Sequence, residues 1–518
     1  MIKKPFLNTK AIKVKRALIS VYDKTGVIDL VKNLTSLNIE ILSTGGTANL
    51  IRKSNLPVLD VSDYTKFPEI MDGRIKTINP LIEGGILGLR DKHDLEATKN
   101  NIKWIDLVIC NLYPFSKTTS KKDCDLALAL ENIDIGGPTM IRSAAKNCGW
   151  VCVGTDINDY ISIISELENT GKISFQIRKK LSIKAFGHTA KYDSIIHNYL
   201  KDDPLSRDLS FSFIKHSKMR YGENPHQKAA AYQIPEDTSN NILNAKIHQG
   251  KKLSYNNIMD SDGAIACIKE FKEPACVIIK HANPCGASTG KDLLKTYKKA
   301  LDSDPVSAFG GIIAFNRRCT KEIAKEISKM FVEIVIAPGF DQESLSLFKK
   351  KKNLRVIEIK KPTPRTSKLE IRNIDGGILL QEVDIKSLTI KNLKCVTKRK
   401  PTNKEIKTAL FTWRVLRHAK SNGVLIANNN TTVGLGAGQV SRVDAVHMAL
   451  KKGQNKLDGA VLASDAFFPF RDSIDAIKGT GIKTVIQPGG SIRDEEVIQA
   501  CNEYNISMIF TETRCFKH

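Results

Sequence analysis

The run Val277-Ile278-Ile279-Lys280-His281-Ala282-Asn283-Pro284-Cys285-Gly286 is the richest in chemistry. It reads as a strand that ends in a Lys-His pair and then turns through Pro and Gly. Imidazole is the side chain whose ordinary pKa lies nearest neutrality, and a neighbouring ammonium can deliver a proton. Strand alternation sends Lys280 and His281 to opposite faces, although a strand end relaxes this. A lone histidine is more often structural. Here the reading stays open between a structural histidine and a proton-transferring pair.

Other candidates lie in the first half. Ser43-Thr44-Gly45-Gly46-Thr47 stands between a strand and a helix, where backbone N–H groups and the helix dipole attract an anion. By itself a Gly-Gly turn is ordinarily just a turn. Ser20 and Lys24 close the neighbouring strand and can face the same phosphate. Arg74-Ile75-Lys76-Thr77 carries two cations on an extended segment, which alone reads as a solvated basic loop. Asn111-Leu112-Tyr113-Pro114-Phe115 offers a phenol at a strand end, or a buried turn tyrosine. In Asp134-Ile135-Gly136-Gly137-Pro138 a carboxylate precedes a helix that presents Lys146. A carboxylate and an ammonium near one anionic ligand suit proton handling. In the second half, Arg220-Tyr221-Gly222-Glu223-Asn224-Pro225-His226-Gln227 combines a cation, a ring and turn formers. Ser464 to Asp472 holds three phenylalanines, some of them core plugs. Gly434 to Gln439 lacks the third glycine of a dinucleotide fingerprint and follows a possible hairpin, which excludes that reading.

These loops need a scaffold of strands and helices. Arg16 to Val21, Ile39 to Leu42 and Asp106 to Asn111 read as strands separated by helices, which implies a parallel sheet covered on both faces. Ligands of such sheets bind beyond the carboxyl ends of the strands. A polar break at Lys201 to Ser206 marks a domain boundary. The second half alternates again, with apolar runs at Ala275–Lys280, Gly311–Phe315, Val332–Ile336, Gly423–Ala427, Gly459–Ala463, Lys483–Ile486 and Ser507–Phe510. The Lys/Pro-rich stretch Lys349 to Arg365 reads as a surface connection between two subdomains. No internal repeat is visible in the residues.

The 518 residues imply two to four domains. No apolar run reaches membrane-spanning length, and Met1-Ile-Lys-Lys-Pro does not read as a signal peptide, so a cytoplasmic location is expected. Eighty Lys and Arg against 55 Asp and Glu give a formal net charge of +25. The lysines are dispersed and no nucleic-acid-binding signature accompanies them, so a nucleic-acid partner is not expected. The 11 cysteines include no CxxC pair and read as reduced thiols, and no metal site is expected.

With these motifs in order, the chain resembles the bifunctional AICAR formyltransferase/IMP cyclohydrolase family of purine biosynthesis. The runs Ser43–Thr47, Met71–Thr77, Asn111–Phe115 and Asn132–Asn147 look like its cyclohydrolase half. Those at Arg220–Gln227, Gln249–Asn257, Lys280–Gly286, Ser307–Gly310, Ser464–Asp472 and Arg514–His518 look like its transformylase half. The resemblance implies an α/β protein. Residues 1–200 would form a methylglyoxal-synthase-like doubly wound domain. Residues 201–518 would form a transformylase of two cytidine-deaminase-like α/β subdomains plus a small insert. By the same resemblance, Ser20, Lys24, Ser43, Thr44, Gly45, Gly46, Arg74 and Thr77 would hold a nucleotide phosphate, with Asn111 in the same pocket. Lys76, Tyr113, Asp134 and Lys146 would surround the reacting base. His281 would be the general base on an amino group, and Lys280 would assist the leaving folate nitrogen. Arg220 and Arg514 would clamp phosphate. Tyr221, Gly310, Glu333, Asn422, Arg442 and Phe467 would line the nucleotide or folate pocket.

The implied activity is formyl transfer from the co-substrate 10-formyltetrahydrofolate to AICAR, then cyclisation of FAICAR to IMP. The implied assembly is a homodimer with nucleotide and folate partners and no membrane, and a monovalent cation such as K+ is allowed. Two departures stand out. The family reads Lys-Thr-Leu-His-Pro-Lys-(Val/Ile)-His-Gly-Gly, where this chain has Asn79, Leu81 and Glu83 in place of two histidines and a lysine. Asn428 replaces a usual lysine. A formyltransferase with impaired cyclisation is therefore the first rival reading, and a basic nucleic-acid-binding protein the second.

Overall fold

Short aliphatic and β-branched runs become the strands of a computed structural model that describes residues 6–360 and 369–518. The chain divides into two units, Met1–Phe213 and Ile214–His518. The sequence placed the boundary near residue 200. The helix Phe175–Leu200 ends there, but the segment after it stays with the first unit, where the Asn198 amide donates to the Ser210 carbonyl at 2.7 Å.

In the first unit β1 (Arg16–Val21), β2 (Glu40–Ser43), β3 (Leu59–Asp60), β4 (Leu107–Asn111) and β5 (Cys152–Gly154) form one sheet in the order β3-β2-β1-β4-β5. Every pairing is parallel. Leu18, Ile19, Val108 and Ile109 are fully buried, as central strands covered by helices on both faces require. The order reverses between β1 and β4, and ligands of such sheets bind beyond the carboxyl ends at that switch point.

The second unit begins with the hairpin β6 (Ile214–Lys218) and β7 (Ala230–Gln233). A mixed sheet of twelve strands follows. Its members are β8 (Lys246–Gln249), β9 (Ala275–Lys280), β10 (Asn283–Thr289), β11 (Ile312–Phe315), β12 (Ile334–Ala337) and β13 (Arg355–Glu358). After a separate ribbon of β14 (Leu369–Ile374) and β15 (Gly377–Glu382) come β16 (Lys394–Cys395), β17 (Val424–Asn428) and β18 (Thr431–Gly436). The last three are β19 (Val461–Ser464), β20 (Thr484–Gln487) and β21 (Ser507–Phe510). The order is β16-β21-β20-β19-β17-β18-β10-β9-β11-β12-β13-β8.

This order contains a repeat that the residues do not display. Outward from the centre, one half runs β10-β9-β11-β12-β13-β8 and the other β18-β17-β19-β20-β21-β16. Each half has an antiparallel hairpin, an antiparallel neighbour, two parallel steps and an antiparallel edge strand. The glycines obey the same rule. A Cβ on Gly286 of β10 would lie 2.1 Å from the Ala300 carbonyl, and one on Gly434 of β18 would lie 2.1 Å from the Ala449 carbonyl. Each glycine admits the helix that follows its hairpin, Leu293–Ser303 or Arg442–Gly453. No repeat was expected because only topology and a few such positions recur.

Two further expectations are corrected. Lys349–Arg365 is not simply a surface connection, because it contains β13, whose Val356 and Ile357 are fully buried between exposed lysines. Its last residues, 361–365, lie outside the described residues, as does the start Met1–Pro5. The chain also does not turn at Pro284 and Gly286, which lie inside β10. The turn is His281-Ala282, a two-residue hairpin loop with Lys280 opposite Asn283. Among the described residues no helix is long and apolar enough to cross a membrane.

Candidate active sites

In the first unit the candidate groups gather at the carboxyl ends of β1, β2 and β4. Helix Gly45–Lys53 begins just after β2 with Thr44 as its N-cap, and no side chain caps its first N–H groups. A Cβ on Gly46 would sit 3.9 Å from Lys24 Nζ, so the glycine keeps this approach open. Ser20 Oγ and Thr44 Oγ1 lie 3.5 Å apart across the same loops. An ammonium, two hydroxyls and a helix N-terminus thus converge as a phosphate would require.

Two predicted binding residues have other duties. The Ser43 hydroxyl is fully buried and donates to the Ile19 carbonyl at 2.6 Å. Asn111 uses its amide on the β1 loop, accepting from the N–H of Tyr22 at 2.7 Å and of Asp23 at 3.0 Å and donating to the Asp23 carbonyl at 2.9 Å. Both shape the pocket from behind. Arg74 is exposed and paired with Glu131, so ligand binding by Arg74 competes with that pair.

Asp134 accepts from the Gly137 N–H at 2.8 Å, and its own N–H donates to the Tyr192 hydroxyl at 2.8 Å. Burial pushes its carboxyl above the usual range. The N–H groups of Gly137 and Tyr113 and the charge of Lys76 oppose that rise. Thr77 Oγ1 would lie 2.8 Å from a Cβ on Gly136. Tyr113 meets Tyr22 edge-on at 5.3 Å. Lys76, Thr77, Tyr113 and Asp134 are therefore brought together. Lys146 is not. It is the last residue of helix Gly136–Lys146, about 15 Å along the axis from the end that Asp134 adjoins.

The departures in this loop are built into the structure. Asn79 caps helix Pro80–Leu87, its Oδ1 accepting from the Leu81 N–H at 2.9 Å. Glu83 accepts from the Ser143 hydroxyl at 2.6 Å, tying that helix to the one that Asp134 precedes. Burial raises the Glu83 carboxyl, and its Oε1 is buried without a partner.

In the second unit, strand directions bring nearly all predicted positions to one edge of the sheet. Lys280 and His281 end β9. Gly310 and Glu333 precede β11 and β12, which run opposite to β9. Asn422 precedes β17, Arg442 follows β18, and Phe467 and Arg514 follow β19 and β21.

Hydrogen bonds join most of them. Lys280 Nζ donates to the Phe309 carbonyl at 2.7 Å, and the next residue, Gly310, donates to the Phe331 carbonyl at 2.9 Å. Asn283 Oδ1 accepts from the Lys420 N–H at 2.9 Å. Ser421 Oγ donates to Asp465 at 2.6 Å and accepts from the Lys517 N–H at 3.1 Å. Arg442 donates to Asp465, to Ser464 Oγ at 2.9 Å and to Asn422 Oδ1 at 2.6 Å. The Cys515 N–H donates to the Asp465 carbonyl at 3.0 Å, which fixes the segment carrying Arg514. Glu333 accepts from Arg355 Nη1 at 2.6 Å. Arg220 and Tyr221 sit in the loop between β6 and β7 and stack on each other at 5.5 Å, outside this network. Asn428 donates to the Asp458 carbonyl at 2.7 Å.

The histidine turn has an uncommon backbone. His281 and Ala282 have φ of 51° and 59°. Two-residue hairpins ordinarily reserve that conformation for Asn or Gly. The equivalent turn in the other half follows the rule, with Asn429 and Asn430 at φ 48° and 57°. A non-glycine residue in this region costs about 1 kcal/mol. Asp260 offsets the cost: its two oxygens accept from the N–H groups of His281 at 3.2 Å and Ala282 at 2.8 Å.

Asp260, Ser421, Asp465 and Tyr192 carry no signal in the sequence that marks them as site residues. Asp465 lies in the loop Ser464 to Asp472, masked by its phenylalanines. Asp260 lies inside helix Tyr255–Ile268 and gave no local signal beyond being a poor helix former. Among the described residues no group of three or more His, Cys, Asp or Glu is arranged to hold a metal ion.

A family model described as the AICARFT/IMPCHase bienzyme matches residues 144–452. A second, described as an MGS-like domain, matches residues 26–139. Among solved structures, one titled "Crystal structure of ForH" is 32% identical over 35% of this chain and 95% of its own, with a TM-score of 0.33.

Proposed function

Since the chain belongs to the AICARFT/IMPCHase bienzyme family, we propose that it formylates AICAR from 10-formyltetrahydrofolate and closes the resulting FAICAR to IMP. The amino group of AICAR is conjugated with the imidazole carboxamide and is a weak nucleophile. His281 takes its proton as the nitrogen attacks the formyl carbon. Lys280 stabilises the tetrahedral oxyanion and delivers a proton to the departing folate nitrogen, so tetrahydrofolate leaves neutral at that atom. Arg220 and Arg514 bind the substrate phosphate, with Asn422, Arg442 and Phe467 lining the pocket.

In the second step the carboxamide nitrogen attacks the new formyl carbon and water departs. Most of the rate comes from holding these two groups in contact. The Lys24, Ser20 and Thr44 cluster with helix Gly45–Lys53 grips the phosphate. Asp134 orients the amide and accepts its proton, while Lys76 and Tyr113 stabilise the oxyanion. Burial raises the Asp134 carboxyl, which makes it a stronger base than an exposed carboxylate. Cyclisation drains the product of a nearly balanced formyl transfer. A homodimer belongs to the same reading.

One observation carries the proposal: a histidine and a lysine displayed at a β-hairpin turn in a conformation that costs free energy, anchored by a carboxylate. A coupled assay with AICAR and 10-formyltetrahydrofolate, read as IMP, tests it. His281→Ala should abolish formylation and leave cyclisation of supplied FAICAR intact. Lys76→Ala should do the reverse. Wild-type formylation by His281→Ala would refute the role of His281. Failure of the unmodified chain to cyclise FAICAR would favour the formyltransferase-only reading. The helix cap made by Asn79 and the hydrogen bond from Ser143 to Glu83 support a loop that still closes the ring.

A further inference from the structure

A second cleft lies in the first unit, at the opposite edge of its sheet from the phosphate cluster. It has a volume of about 590 Å³, within the range of small-molecule sites. Its walls come from the segment before β1 and from residues before β4 and β5, the amino ends of the strands. β1 is six residues long, so about 20 Å separates the two edges.

The lining is strongly one-signed. Lys10, Lys13, Lys15 and Lys103 contribute four ammonium groups that enter no ion pair among the described residues. Arg16 and Arg90 add two guanidinium groups, and the carboxylate Asp106 is the lone acid in the wall. Asp106 is already occupied. It accepts from the Lys15 N–H at 2.8 Å and the Arg16 N–H at 3.3 Å and pairs with Arg90 at 3.5 Å. Glu40 outside the cleft balances Arg16.

Two indoles complete the wall, Trp104 and Trp150. Arg90 stacks over Trp104 at 4.9 Å. The lysine-bearing segment is also held in place. Buried Arg178 donates to the carbonyls of Lys10 at 3.0 Å and Gly149 at 3.0 Å, and Ile12 bridges to Ile173. Unpaired cations on a fixed frame, beside the Trp150 indole and the Arg90-covered Trp104, accept a polyanion that carries a flat ring.

We propose that this cleft binds a nucleoside polyphosphate, its phosphates on the four lysines and its base against Trp150. The site is independent of the catalytic assignment, because none of its residues belongs to either reaction.

The chain contains three tryptophans, and the third, Trp413, is buried in the core of the second unit. Indole fluorescence therefore reads the cleft directly. Titration of the full chain with ATP should quench emission saturably. Inorganic tripolyphosphate should compete without quenching by itself. The double variant Lys13→Glu/Lys103→Glu changes two exposed lysines and should weaken the ATP effect about tenfold or more. Lys24→Ala, at the other edge, should leave the effect unchanged. The proposal fails if no saturable quench appears by about 5 mM ATP, a weaker affinity than a built site gives. It also fails if the lysine reversals leave the quench intact, or if Lys24→Ala removes it.

Discussion

At the scale of single residues, the chemistry rests on carboxylates that hold other groups in place. Asp260 accepts from two successive N–H groups of a left-handed turn, so removing it frees a backbone that has no intrinsic reason to stay there. Asp260→Ala is expected to lower kcat for formylation about 100-fold. FAICAR cyclisation should not change, and Asp260→Asn, which keeps one acceptor, should recover part of the loss. Steady-state kinetics of both half-reactions check this. Asp134 presents the opposite case. Its carboxyl is raised by burial, so the folded state holds its proton more tightly than the unfolded state does. Stability is then greatest below the ordinary carboxyl pKa and declines as pH rises through the raised one. Asp134→Asn should therefore raise the melting temperature at pH 8, with a gain that shrinks as pH falls toward 4, while cyclisation is lost. Thermal melts across that range decide the sign.

At the scale of elements, close packing between hairpins and helices sets the limits. Gly286 and Gly434 occupy equivalent places in the two halves, and neither has room for a methyl group against a helix carbonyl. Gly286→Ala and Gly434→Ala should each destabilise the second unit by about 2–4 kcal/mol, measured by denaturant unfolding. The long helix Phe175–Leu200 carries a different liability. His188 is half-buried with Nε2 unpartnered, and burial lowers its pKa to about 4. The unfolded chain binds this proton first, so stability is complete above about pH 6.5 and is lost as pH falls toward 4. The loss attributable to it reaches about 3 kcal/mol at most. His188→Gln should flatten the acid limb of the unfolding curve in that window.

At the scale of the whole molecule, the first unit carries its own core. Its main apolar cluster runs from Ile12 to Tyr192 and draws on no residue of the second unit. A chain of residues 1–213 should fold cooperatively by circular dichroism and cyclise FAICAR. A fragment without a sigmoidal melt would show that the unit depends on the rest of the chain. The positive charge is spread over both units, and the four unpaired lysines of the Trp104 cleft are one place where it becomes a local feature.

The sequence determined what is local. Apolar runs set the central strands β1, β4 and β9, glycines marked the loop after β2, and ordered motifs pointed to the family that the comparison identified. Only the tertiary structure decided which groups meet. Sheet pairing disclosed a repeat, and moved the turn from Pro284 to His281. Hydrogen bonding across 21 residues brought Asp260 to that turn, and helix length carried Lys146 away from Asp134. Ser43 and Asn111 were turned inward to hold backbone. Residue type and spacing fix propensity along the chain, whereas the partner of a polar group is set by strand order and helix packing, which bring together segments that are remote in sequence.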